Sequence, residues 1–168
     1  MGEDVDDGWS GGVRAEIEAD VRRVAERLRT LSEAQLAAQA PPYPSRATGG
    51  RTVAQTLADA AQALEERDSG AEPRWRDVPA LSDFAVGDQV AVTGNDLVAQ
   101  LRPPTPPSIP SSIPTGGDHA VPAPPSDDDH AVPAAGPGET VWVRGTRRTA
   151  GEVVADAATQ LAALRRLL

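Results

Sequence analysis

The chain's two histidines each follow an aspartate, as Asp118-His119 and Asp129-His130, and the two units stand eleven residues apart. Imidazole and carboxylate together ligate zinc or nickel, so these units are where the sequence offers metal chemistry. They lie in a proline-rich stretch that the ion itself would have to order. No second shell is at hand to orient the ligands, and the sequence therefore predicts no metal site. Nucleophilic catalysis needs a nucleophile with a base beside it. The chain has no cysteine and no lysine, and both histidines fall outside the segments that read as folded, so a serine would have no base. Asp83, Asp88 and Asp96 are carboxylates that could meet across a groove, but no apolar pocket is evident to raise the pKa of one of them for acid catalysis. Gly49-Gly50 and Gly116-Gly117 lack the spacing and the lysine of a phosphate loop. No catalytic, cofactor-binding or metal-ligating residue is expected, and no cofactor.

The elements that would carry any site are few. Residues 103–138 hold eleven of the sixteen prolines and four glycines, and proline interrupts both the helix ladder and the central strand. This tract reads as a disordered, polyproline-II-like loop between residues 13–102 and a short C-terminal part, 139–168. Within it Asp118-His119-Ala120-Val121-Pro122-Ala123 returns as Asp129-His130-Ala131-Val132-Pro133-Ala134. Such a repeat is either a duplicated interaction motif or a duplication without function. Residues 1–12 read as a disordered acidic arm whose one large apolar group is Trp9, able to dock on the domain or on a partner.

Leu, Ile, Val and Phe total 32 of 168 residues, close to the roughly 20% below which order becomes doubtful at high charge. Alanine, with 29 residues, favours helix but buries little area. A thin core packed through small side chains follows, with a partner or a second copy supplying further burial. All sixteen basic residues are arginine, which together with scarce Ile, Asn, Phe and Tyr points to a high-GC bacterial genome. The net charge of −9 argues against nucleic acid and anionic membrane as ligands, since both need a positive field. The absence of cysteine fits a cytoplasmic protein, as does an acidic N-terminus without the pattern of a signal peptide.

Four main helices are expected, over 13–31, 52–67, 83–101 and 149–168. Ile17, Val21, Val24, Leu28 and Leu31 recur at spacings of 4, 3, 4 and 3 and form one stripe. The charged residues between them read as a solvated face laced with carboxylates. Ser32 to Gln35 has capping-box form and restarts a short helix that ends at Pro41-Pro42. Val53, Leu57, Ala60, Ala61 and Leu64 make the second main stripe. Ser45 could start that helix earlier, but Gly49-Gly50 would weaken the extra turn.

Residues 82–101 admit two readings. As a helix they place Phe84, Val90, Ala91, Leu97, Val98 and Leu101 on one side, with Gly87 and Gly94 there to let a neighbouring backbone come close. As a strand they alternate at Phe84, Val86, Val90 and Val92. The helix is preferred because the other elements need a helical partner. Thr140 to Arg144 has strand character, forming an extended segment or hairpin that could pair with 89–93 if those residues were a strand. Thr149 to Glu152 has capping-box form and opens the last helix, whose Arg165 and Arg166 complement the helix dipole. Trp75, between Arg74 and Arg76, reads as cover for one end of the bundle, with a surface cation–π site as the other reading.

The run from Ala80 to Leu101, then Val141-Trp142-Val143-Arg144-Gly145, then an Arg-ended helix, resembles small Ala/Arg-rich helical proteins of high-GC Gram-positive bacteria. That resemblance implies no particular site. In helix count the chain is also similar to DinB-like bundles, which include mycothiol-dependent isomerases with a histidine triad on the helices. No histidine stands on the helices here, which puts that activity in doubt.

The expected fold is an all-α antiparallel four-helix bundle, interrupted by the proline tract, with at most one short extended segment near 140–144. The expected role is non-catalytic protein–protein interaction, with a protein partner or self-association and with neither nucleic acid nor membrane. The tract's PxxP spacings at Pro103/Pro106 and Pro104/Pro107, beside Arg102, suit an aromatic-lined groove. A ligand-binding or DinB-like bundle with its pocket near Trp75 and Trp142 is the alternative, and a self-associating dimer is a further one.

Overall fold

The computed structural model describes residues 11–101 and 136–168. They are mostly helical, with one small two-stranded sheet: α1 Gly11–Arg29, α2 Glu33–Ala37, α3 Arg46–Glu65, α4 Val86–Gln100, β1 Thr140–Val143, β2 Thr146–Thr149 and α5 Ala150–Leu167. The α1 stripe is fully buried, from Ile17 through Leu28, and Leu31 joins it from just past the helix end. The helix stops at Arg29 rather than at residue 31. The Thr30 hydroxyl folds back onto the Arg27 carbonyl (2.8 Å), and the Leu31 amide bonds to Leu28, tightening the last turn. Ser32 and Gln35 then form the capping box of α2, with the Ser32 amide donating to Gln35 Oε1 at 2.9 Å.

The second main helix, α3, begins at Arg46 and not at 52. Ser45 Oγ accepts from the Thr48 amide (3.1 Å), and Gly49 and Gly50 are inside the helix because their bare backbone is needed there. A Cβ on Gly49 would stand 2.8 Å from the Tyr43 ring, and one on Gly50 would stand 2.5 Å from a Val86 methyl. Contact with tertiary neighbours thus overrides the local helix penalty of glycine.

Residues 86–100 are helix, and the strand reading of 84–94 falls. Gly87 and Gly94 bring α4 onto α1: a Cβ at Gly87 would lie 2.9 Å from the Ala25 carbonyl, and one at Gly94 would lie 2.5 Å from both Val21 methyls. Because Gly87 meets Arg29 and Gly94 meets Val21, the two helices run antiparallel. Phe84, expected on the inner side, is 59% exposed. It belongs to a 3₁₀ turn, Asp83–Ala85, whose three-residue repeat puts it out of phase with the helix that follows.

The C-terminal part is the hairpin of the two expected alternatives, with two short strands where at most one extended segment was expected. β1 pairs antiparallel with β2, from Thr140 opposite Thr149 to Val143 opposite Thr146, and not with residues 89–93. The two-residue loop Arg144-Gly145 has φ values of 45° and 81°, the positive pair that a type I′ hairpin turn requires. Thr149 and Glu152 cap α5, and the amide of Gly151 bonds to the Pro137 carbonyl at 2.8 Å. Arg165 does more than complement a dipole: its guanidinium donates to Asp20 of α1 at 2.6 Å. Arg27 and Arg46 hold the carbonyls of Leu168 and Leu167. α3 packs against α4 and α5, and α1 packs against the same two helices. No helix among the described residues is long and apolar enough to cross a membrane.

Candidate functional site

One side of α3 is covered by a strap of chain, residues 71–82, that forms neither helix nor strand. Its backbone groups need partners, and glutamine side chains supply them. Gln62, only 7% exposed, donates from Nε2 to the Arg76 carbonyl (3.1 Å) while its Oε1 accepts from the Arg76 amide (2.8 Å). One turn-pair earlier on the same helix face, Gln55 Oε1 accepts from the Val78 amide at 2.8 Å. Gln89 of α4 donates to the Pro79 carbonyl at 2.6 Å, and Arg51 donates to the Leu81 carbonyl at 3.2 Å. A primary amide presents a donor and an acceptor as a peptide bond does, so this ladder imitates a neighbouring strand. Its signal in the sequence was Gln55 and Gln62 seven residues apart on one helix, a spacing that also describes a solvated face.

The hairpin is fastened to the strap by Arg144. Its guanidinium donates to Asp59 through Nε (3.1 Å) and Nη2 (2.8 Å), and to Asp77 at 2.6 Å. These bonds, with Asp59 first and Asp77 next, hold the Arg144 pKa above its already high ordinary value. The same guanidinium lies 5.3 Å from the centre of the Trp75 ring. Trp75 is half-buried against the core and donates from Nε1 to Glu72 at 2.9 Å, so it is both cover and cation–π partner. Trp142 donates to the Gly70 carbonyl at 3.2 Å and lies under the Arg147 guanidinium, 4.9 Å from its ring centre. The two tryptophans therefore reach the same region, through the hairpin.

Two clefts open on the flanks of the strap. One, of about 630 Å³, is lined by Trp75, Pro73, Glu66 and Glu72 among others. The second, of about 440 Å³, lies between the strap and the C-terminal half of α4, with Ala58 and Ala61 of α3 also lining it. Neither gathers an acid, a base and a nucleophile. Asp83, Asp88 and Asp96 have separate surroundings: Asp83 pairs with Arg51, Asp88 with Arg29 at 2.8 Å, and Asp96 lines the second cleft. Asp88 is also the main cause that raises the Arg29 pKa. No cluster of three metal-ligating side chains occurs among the described residues. His119, His130, Trp9, the DHAVPA repeats and the PxxP segments lie outside the described residues. What the arrangement does chemically is bind backbone and hold guanidinium groups. No family model, no curated protein and no solved structure matches the chain.

Proposed function

We propose that the chain is a non-catalytic helical protein whose long helices α1, α3, α4 and α5 close as an antiparallel bundle, and that it works by holding another protein. The observation that carries this reading is the placement of its large apolar side chains. Leu81, Phe84 and Val92 are 50%, 59% and 60% exposed, the first two just before α4 and the third within it. The chain has a single phenylalanine and a thin supply of large apolar residues, yet it spends that phenylalanine on the surface. An exposed aromatic with aliphatic neighbours is the usual anchor of a protein interface.

The test is co-purification from lysate of the native host with the full chain and with Phe84→Ser/Val92→Ser, alongside sedimentation equilibrium of both. A stoichiometric partner held by the full chain and lost from the variant is the expected result. A concentration-dependent dimer abolished by the variant would make the partner a second copy. Equal capture by both proteins, or no partner and no dimer, defeats the reading.

A further inference from the structure

The strap has two edges, and only one of them is fully occupied. In an extended segment the amide and carbonyl of one residue point to one edge and those of the next residue to the other. Gln62 takes both groups of Arg76, and Gln55 takes the amide of Val78, so residues 76 and 78 face α3. Trp75 and Asp77 then present their backbone to the opposite edge, on the side where Gln89 of α4 already reaches the Pro79 carbonyl. Among the described residues nothing bonds the amide or carbonyl of Trp75 or Asp77. Asp77, together with Arg76 and Val78, lines the 440 Å³ cleft, with Asp96, Ala99 and Gln100 of α4 along the other wall, while Trp75 lines the larger cleft.

We propose that this slot takes an extended peptide carrying a basic residue, paired edge to edge with the strap at Asp77. An unpaired extended edge beside a cleft is what strand addition uses: main-chain bonds give the hold and side-chain pockets the selectivity. The volume falls in the roughly 300–1,000 Å³ range of ligand clefts, and the alanine walls leave room for a backbone to come close. Charge decides the peptide's character. Glu65 is neutralised by Arg76 at 3.0 Å and Asp77 by Arg144 at 2.6 Å, whereas Asp96 has no ion-pair partner among the described residues. The wall at Asp96 calls for an arginine or lysine on the incoming chain. This slot and the exposed residues Leu81, Phe84 and Val92 stand or fall separately, since each has its own variants.

The experiment pans a phage-displayed random heptapeptide library on the immobilised full chain, and the enriched sequences are then measured as fluorescent peptides by anisotropy. Peptides with a basic residue are expected, binding Asp96→Lys at least about tenfold more weakly, the scale of turning one ion pair into a repulsion. Ala99→Trp, an exposed substitution that fills the slot, should remove binding while circular dichroism stays unchanged. N-methylation at alternate peptide residues should abolish binding in one register and spare it in the other. Lack of enrichment overturns the proposal, including the case where the chain's own tract fills the slot. So does unchanged affinity for both variants, or indifference to N-methylation at every position.

Discussion

The contact between α1 and α4 and the contact between the strap and α3 both cover a helix, yet they are built from opposite materials. Where α4 meets α1, the closest points are Gly87 on Ala25 and Gly94 on Val21, and the polar pair Arg29–Asp88 stands at the rim. Where the strap and the hairpin turn meet α3, the holding groups are Gln55, Gln62, Asp59 and Arg144. The difference follows from the backbone. A helix bonds its own amides and carbonyls, so two helices are free to pack by shape alone. A strap leaves those groups open, and each one buried without a partner costs about 1–3 kcal/mol, so the covered helix must offer polar side chains. The same protein thus uses apolar fit between helices and amide mimicry under irregular chain.

The largest effect should come from the shared core. Leu57 of α3 is fully buried, and Leu57→Ala should cost about 2–5 kcal/mol by loss of transfer energy plus a cavity. Strap and helices should lose that stability together in a urea melt followed by near- and far-ultraviolet circular dichroism. If the two signals separate, strap and helices are not one cooperative unit. Gln62→Leu should cost less, about 1–3 kcal/mol in all, because it removes the partner of both the amide and the carbonyl of Arg76 but at that exposed residue water takes back part of the loss. Its signature is local: hydrogen exchange should quicken at Arg76 and Val78 while the amides of α1 and α4 keep their protection. Uniform acceleration would show that the strap does not open apart from the core.

The two contacts also differ in how far the sequence reveals them. The stripes of α1 and α3 and the two capping boxes were legible, because each is written within one turn or a few turns of helix. The close approach at Gly87 and Gly94 was legible too, since two glycines seven apart on a helix have few other uses. What the sequence hid depends on distant partners. Gly49 and Gly50 look like a weak helix start until Tyr43 and Val86 are placed on them. Phe84 carries the right period for the core but sits in a 3₁₀ turn that rotates it outward. The strap's ladder joins residues 14 and 23 apart through side chains that any solvated helix carries. The second strand, Thr146-Arg147-Arg148-Thr149, has no apolar alternation at all, and its pairing is set by the Arg144-Gly145 turn.

Gly87→Ala sharpens the apolar side of the comparison. The new methyl would meet backbone atoms, the Ala25 carbonyl at 2.9 Å and the Arg29 amide at 3.2 Å, which cannot swing aside as a flexible side chain can. Overpacking of about 1–3 kcal/mol is expected, less the ~1 kcal/mol that alanine gains over glycine in a helix. A lowered melting temperature with unchanged exchange at Arg76 and Val78 would keep the two contacts independent. A gain in stability would mean that α1 and α4 do not approach as closely as the glycines allow.

The smallest effect belongs to the junction of hairpin and α5, and acid should reveal it. The Thr149 amide donates to Glu152 Oε2 at 2.9 Å and the Thr149 hydroxyl donates to it at 3.0 Å. These bonds favour the ionised carboxylate and lower its pKa, with the backbone amide as the leading cause. A lowered folded pKa means that the folded chain holds fewer protons than the unfolded one. The stabilisation is therefore complete above the ordinary glutamate value of about 4.3 and fades as pH falls through the lower folded value. The Thr149 amide resonance, followed by NMR on descending pH, should titrate with a midpoint below that ordinary value. Glu152→Gln should flatten the titration while keeping a side chain that can still accept the amide. The close point of Gly94 on Val21 is apolar, so the Gly94 amide should not move over the same window. A midpoint at or above the ordinary value would show that the cap does not favour the charged form. A matching shift at Gly94 would show that acid reaches the apolar contact as well, and the division between the two kinds of contact would fail at its weakest point.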